Sequence, residues 1–127
     1  MEFLNPATIA APASSYSQGV LVPAHARRLV ISGQIGARPD GSIAEGLEEQ
    51  FKQTWANFDG VLRAAGMTAS DVVKITTFVT DPAAIALARQ TRAAFMKGHR
   101  PASTFLVVAG LASPKLLVEI EGEAVKA

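Results

Sequence analysis

Near the C-terminus Glu119, Glu121 and Glu123 recur at every second position. In an extended chain that spacing puts all three carboxylates on one face of a strand, opposite Val118, Ile120, Gly122 and Ala124. The run Arg28-Leu29-Val30-Ile31-Ser32-Gly33-Gln34-Ile35-Gly36 is aliphatic at its start and turns polar and glycine-rich at its end. Period-2 alternation sends Leu29 and Ile31 to one face and Val30, Ser32 and Gln34 to the other. Glycine in such a strand marks a place where another group comes close. A carboxylate on a strand face, near a hydroxyl and glycine backbone, suits general acid–base handling of a single water.

Other chemistries fit less well. The chain has no cysteine, which excludes disulfides, thiolate nucleophiles and cysteine metal sites. His25 and His99 do not stand at a ligand-like spacing, so no metal is expected. Ser32 lacks the sharp elbow of a Ser-His-acid hydrolase, and neither a G-x-G-x-x-G nor a Walker pattern occurs. No cofactor is called for. A net charge of +1 offers no footprint for nucleic acid. The N-terminal stretch lacks a basic n-region and is interrupted by Pro6 and Pro12, unlike a signal peptide. No apolar run reaches the roughly 20 residues that span a bilayer. A soluble, cytoplasmic protein with no membrane partner is expected.

With 127 residues, 49% of them hydrophobic, a single domain over 1–127 with its own core is expected. Residues 1–15 read as an extended lead-in and Tyr16–Val22 as a first strand. Pro23 to Arg27 then connects it, at hairpin length, to the strand from Arg28. Pro39-Asp40-Gly41 is a turn. From Glu45 to Ala65, Leu47, Phe51, Trp55, Phe58, Leu62 and Ala65 form one helical stripe, and Gly66 follows where a left-handed residue is wanted. That spacing reads as core packing rather than a cofactor box. Asp71–Thr80 is a strand, and Asp81-Pro82 caps a second helix running to about Lys97, with Ile85, Ala88 and Phe95 inward. Strands at about 102–109 and 116–125 complete a β-β-α-β-α-β-β order. This is an α+β layer with the helices on one face. The other face carries Val30, Phe78, Leu117 and Val125, too apolar for water, which implies burial against copies of the same chain.

Ser15-Tyr16-Ser17-Gln18-Gly19, Val30-Ile31-Ser32-Gly33-Gln34-Ile35, Ala64-Ala65-Gly66 with Asp71-Val72-Val73-Lys74, and Val118-Glu119-Ile120-Glu121 resemble the Rid (YjgF/YER057c/UK114) superfamily, in order and with matching gaps. The resemblance implies a fold like chorismate mutase of bacilli, with two helices on one face of a mixed β-sheet, and a homotrimer with small-molecule clefts between subunits. It also implies an enamine/imine deaminase. Glu119 then stands at the water-handling position, and Tyr16, Ser32 and Gly33 at the cleft.

One departure bears on the substrate. Where deaminase members carry an arginine for the substrate carboxylate, this chain has Ser103 within Pro101-Ala102-Ser103-Thr104-Phe105. Phe105 replaces a common cysteine, and Arg89 aligns with a usual asparagine. Ser103, Thr104, Phe105 and Arg89 are therefore candidate substrate-binding residues, with Arg89 or Arg100 as the replacement cation. Two functions remain open: hydrolysis of an imine, enamine or conjugated amine whose carboxylate is absent or presented differently, and non-catalytic binding of a small molecule in the same cleft. A ribonuclease ranks below both, since no aromatic-basic stretch is present.

Overall fold

The computed structural model describes residues 1–127. Six strands and two helices follow the order β1 (Glu2–Leu4), β2 (Gly19–Leu21), β3 (Arg27–Ile35), α1 (Leu47–Ala64), β4 (Val72–Val79), α2 (Ile85–Met96), β5 (Ala102–Val107) and β6 (Val118–Lys126). The main sheet has the order β3-β6-β4-β5. β6 runs antiparallel to both β3 and β4, while β4 and β5 are parallel and joined across α2. The expected α+β architecture, a mixed sheet carrying two helices, is what forms.

The hairpin expected between residues 16–22 and β3 does not form. Instead β2 pairs antiparallel with β1, in a small second sheet that matches Glu2 with Leu21 and Leu4 with Gly19. Ordering the lead-in this way satisfies backbone groups that an unpaired β2 would leave open. His25 adopts φ 65° in the connection, a left-handed residue that turns the chain away from a tight hairpin.

The aromatic stripe of α1 is core: Phe51, Phe58 and Leu62 are fully buried and Trp55 nearly so. Trp55 stacks on Phe95 of α2 at 4.5 Å between centroids and meets Phe58 edge-on at 5.5 Å. Beneath them lie Ile31, Ile75, Val79, Val118, Ile120 and Ala124 from the inward rows of β3, β4 and β6. Gly122 has to be glycine here, because a Cβ would stand 2.5 Å from the Lys74 carbonyl oxygen and 3.0 Å from Phe58. Gly66 ends α1 at φ 69°, as expected. Asp81 caps a 3-10 turn, Pro82–Ala84, accepting from the Ala83 N–H at 2.9 Å, and this turn leads into α2.

Two polar side chains tie loops to α1. Buried Gln50 donates to the Lys115 carbonyl and accepts from the Leu117 N–H, each at 2.8 Å. Asn57 donates to the carbonyls of Ile35 and Ala37, at 2.9 and 2.8 Å. The far sheet face has no helix over it. Val30 there is 63% exposed, whereas Val125, expected to need a partner chain, is already buried within this one.

Candidate functional site

The site residues divide between the two sides of the sheet. Pairing register makes the division plain. In parallel β4–β5, Ser103 stands beside Ile75 and Phe105 beside Thr77, all on the helix side, while Thr104 stands beside Thr76 on the open face. In β6, Glu119 stands between Phe78 of β4 and Ile35 of β3 on the open face.

On the helix side a cavity of ≈ 190 Å³ opens between α2, the β4–β5 pair and the segment ahead of β2, and Tyr16, Arg89, Arg92, Ser103 and Phe105 line it. The segment is held there by Ser17, whose N–H donates to the Pro101 carbonyl at 3.0 Å and whose hydroxyl donates to the Arg100 carbonyl at 2.5 Å. That clamp is what carries Tyr16 to the start of β5. Arg92 is the residue sequence reasoning missed. It is 8% exposed, and its guanidinium donates from Nη1 to Ser103 Oγ at 3.1 Å and from Nη2 to Ser14 Oγ at 2.8 Å. Its Nε–H is buried without an acceptor. Burial, and then the like charge of Arg89, lower the Arg92 pKa from its ordinary value, while Tyr16 raises it. A signal for it existed, since Arg92 sits four residues after Ala88 and four before Met96, on the buried stripe of α2. Ile85, expected to face inward, is 38% exposed and stands on the lining of this cavity. Of the two arginines expected to replace the missing cation, Arg89 lines the cavity and Arg100 does not.

On the open face the strand β3 departs from simple alternation. Ile31 pairs with Gly122 but Gln34 pairs with Ile120, so β3 carries one extra residue between them. The bulge moves Gln34 to the helix side and corrects the expectation that it shares a face with Ser32. Gln34 Nε2 then donates back to the Ser32 carbonyl at 3.0 Å. Gly33 lies in the bulge, directly under the Glu119 side chain. A Cβ at residue 33 would come within 2.7 Å of the Glu119 carboxyl carbon and nearer still to one of its oxygens. The group that approaches this glycine is therefore the candidate catalytic carboxylate itself. Glu119 borders a shallow depression with Phe78, Leu111 and Glu121. It has no ion pair, whereas Glu123 is held by Arg28 at 2.6 Å. Thr104 accepts from Lys74 Nζ at 2.6 Å, farther along the same face.

The widest surface groove, ≈ 620 Å³, lies elsewhere, between α1 and residues 94–99. Two of its charged groups pair with each other, Arg63 with Asp59 at 2.6 Å, which raises the Arg63 pKa. None of the residues expected at the site lines this groove, whereas Tyr16, Arg89, Ser103 and Phe105 line the smaller cavity.

The fold and the two half-sites define a small α+β protein with a polar, donor-lined cavity on one side of its sheet and an unpaired carboxylate on the other. The chain belongs to the Rid (YjgF/YER057c/UK114) superfamily: the family model described as "Endoribonuclease L-PSP" matches residues 8–126. The 2-iminobutanoate/2-iminopropanoate deaminase of Salmonella typhimurium is 37% identical over 127 residues, covering 94% of this chain and 95% of that protein. The rat (Rattus norvegicus) protein of the same name is 36% identical over 124 residues, covering 94% of this chain and 87% of its own. Among solved structures, the conserved Rid-family protein YyfB of Yersinia pestis, of unknown function, superposes with a TM-score of 0.86 at 36% identity, covering 98% of each chain.

Proposed function

We propose that this protein hydrolyses a small reactive imine or enamine, or a related conjugated amine, to the carbonyl compound and ammonia, in a cleft between copies of itself. Relatives that are 36–37% identical carry the name of 2-iminobutanoate/2-iminopropanoate deaminase, which supports imine deamination as the reaction class. The observation that carries the reading is the Glu119 carboxylate over Gly33, without an ion pair, on the sheet face no helix covers. From that position Glu119 takes a proton from water as the oxygen bonds to the imine carbon. It then returns the proton to the nitrogen of the tetrahedral carbinolamine. As the C–N bond breaks, the carbinolamine hydroxyl gives its remaining proton to the departing ammonia, by way of the same carboxylate, and becomes the carbonyl. Tyr16, Ser103 and Phe105 hold the rest of the substrate. These lie across the sheet from Glu119 of the same chain, so one chain does not complete the site. A second copy offering its open face to this cavity does, and a homotrimer closes such contacts without a free edge.

The test is hydrolysis of imines generated by an amino-acid oxidase, followed as reduced semicarbazide trapping. Wild type is expected to outpace spontaneous hydrolysis, and Glu119→Gln to lose about 10²–10⁴-fold in kcat. Equal rates for the two proteins, or a monomer by light scattering, would refute the reading. A ligand bound and recovered unchanged would instead mark a binding protein.

A further inference from the structure

The cavity on the helix side has a charge problem that the chain does not solve. Arg92 is 8% exposed, yet its only side-chain partners are the hydroxyls of Ser14 and Ser103. A guanidinium has five N–H donors, and here Nε–H is buried without an acceptor. Its titratable neighbours are a second cation, Arg89, and Tyr16, and neither is a carboxylate. No aspartate or glutamate lines the cavity, and no carboxylate lies within ion-pair distance of either arginine. A buried cation without a counter-ion is strongly unfavourable, and its persistence calls for an anion from outside the chain. The surrounding groups suit one. Ser14 and Ser103 each accept from Arg92, so their own hydroxyl protons are free to donate, and the Tyr16 hydroxyl is a further donor. Ile85, Ala88 and Phe105 supply an apolar wall. At ≈ 190 Å³ the space is smaller than a drug-sized pocket and takes a short-chain acid.

We propose that Arg92, reaching across from α2 to Ser103 on β5, is the carboxylate anchor of this cavity, and that its ligand is a short-chain 2-imino acid or the matching 2-oxo acid, with an apolar tail on Ile85, Ala88 and Phe105. A planar guanidinium flanked by two hydroxyls fits a carboxylate, to which it bonds as a fork. Arg89, at the exposed side of the cavity, adds field rather than a fixed bond. The inference rests on the imine-hydrolysis reading for the identity of the acid, and names the group that holds it. Serine at position 103 is then an acceptor that orients a cation supplied by the neighbouring helix.

The experiment measures binding, not turnover, by calorimetry and thermal shift on the intact assembly, with 2-oxobutanoate, butanone and inorganic phosphate as probes. Wild type is expected to bind 2-oxobutanoate and to ignore butanone and phosphate. Arg92→Met should weaken 2-oxobutanoate roughly tenfold to a hundredfold, the loss of a charge-assisted pair, and raise the Tm of the ligand-free protein by removing an unpaired buried charge. Arg92→Lys should recover part of the affinity, and Arg89→Met should cost less than Arg92→Met. Equal affinity in wild type and Arg92→Met, or phosphate binding as well as the oxo acid, overturns the assignment. So does dissociation of the oligomer in Arg92→Met with no oxo-acid binding in wild type, since Arg92 would then pair with a partner's carboxylate. A protein that binds the oxo acid through Arg92 but hydrolyses no imine upholds the anchor and refutes the deaminase. One that hydrolyses imines while Arg92→Met binds the oxo acid normally refutes the anchor alone.

Discussion

The two sides of the four-stranded sheet have opposite unmet needs. On the helix side, aromatic and aliphatic rows pack to full burial, and the one polar cavity among them holds a guanidinium without a counter-ion. On the open side little is packed, Val30 is exposed, and Glu119 is a carboxylate without a cation. The sheet lies between the charges, so neither can neutralise the other within one chain. The contrast teaches where each kind of residue is under constraint. Changes on the helix side act first on stability, and changes on the open side act first on chemistry or association.

The largest test of that contrast is Glu119→Gln, which should reduce turnover by the factors given above while leaving the thermal midpoint within about a degree. A large loss of stability would show that the open face is structural after all. Phe58→Ala is the counterpart across the sheet. It empties a fully buried position and is expected to destabilise by about 3–5 kcal/mol in a denaturant titration. Gly33→Ala sharpens the comparison, because the atoms in the way of its Cβ belong to the flexible end of Glu119 rather than to backbone. Its expected outcome is at least a tenfold fall in kcat with little change in Tm, and unchanged kcat would separate Gly33 from the carboxylate's position. Val30→Lys, on the bare face, should leave monomer helicity by circular dichroism intact and shift the mass by light scattering to smaller species. The smallest effect concerns the turn after β3, where hydrogen bonds from Ser42 hold the Asp40 carboxyl below its ordinary pKa. Because the folded value is depressed, this contribution is present above the unfolded pKa and disappears as pH falls through the folded one. Asp40→Asn should erase that slight acid-side dependence of Tm and change nothing near neutrality.

Much of the architecture was readable from periodicity. The stripe Phe51-Trp55-Phe58-Leu62 could only be a buried helix face, and the alternation 118-120-122-124 against 119-121-123 assigned both faces of β6. Glu119 and Ser32 stood out as candidates because polar groups at those spacings serve no core, and the family resemblance, not the spacing, supplied their expected roles. Arg92 was overlooked for the opposite reason. Arginines on helices are ordinarily solvated, and only the distance from α2 to β5 reveals that this one is enclosed. The bulge at Gly33 and the pairing of β2 with β1 escaped as well, since both depend on which strand lies alongside.

What the amino-acid order determined by itself was therefore local: where helices and strands form, which rows are apolar, and which residues have a proton to give or take. Tertiary structure alone decided that Ser103 would receive a guanidinium from another element, and that Glu119 would lie on Gly33 with the sheet between it and that cation. Hydrophobic patterning acts over a few residues along the chain, whereas the meeting of charges is governed by packing distances between segments that sequence separation does not encode.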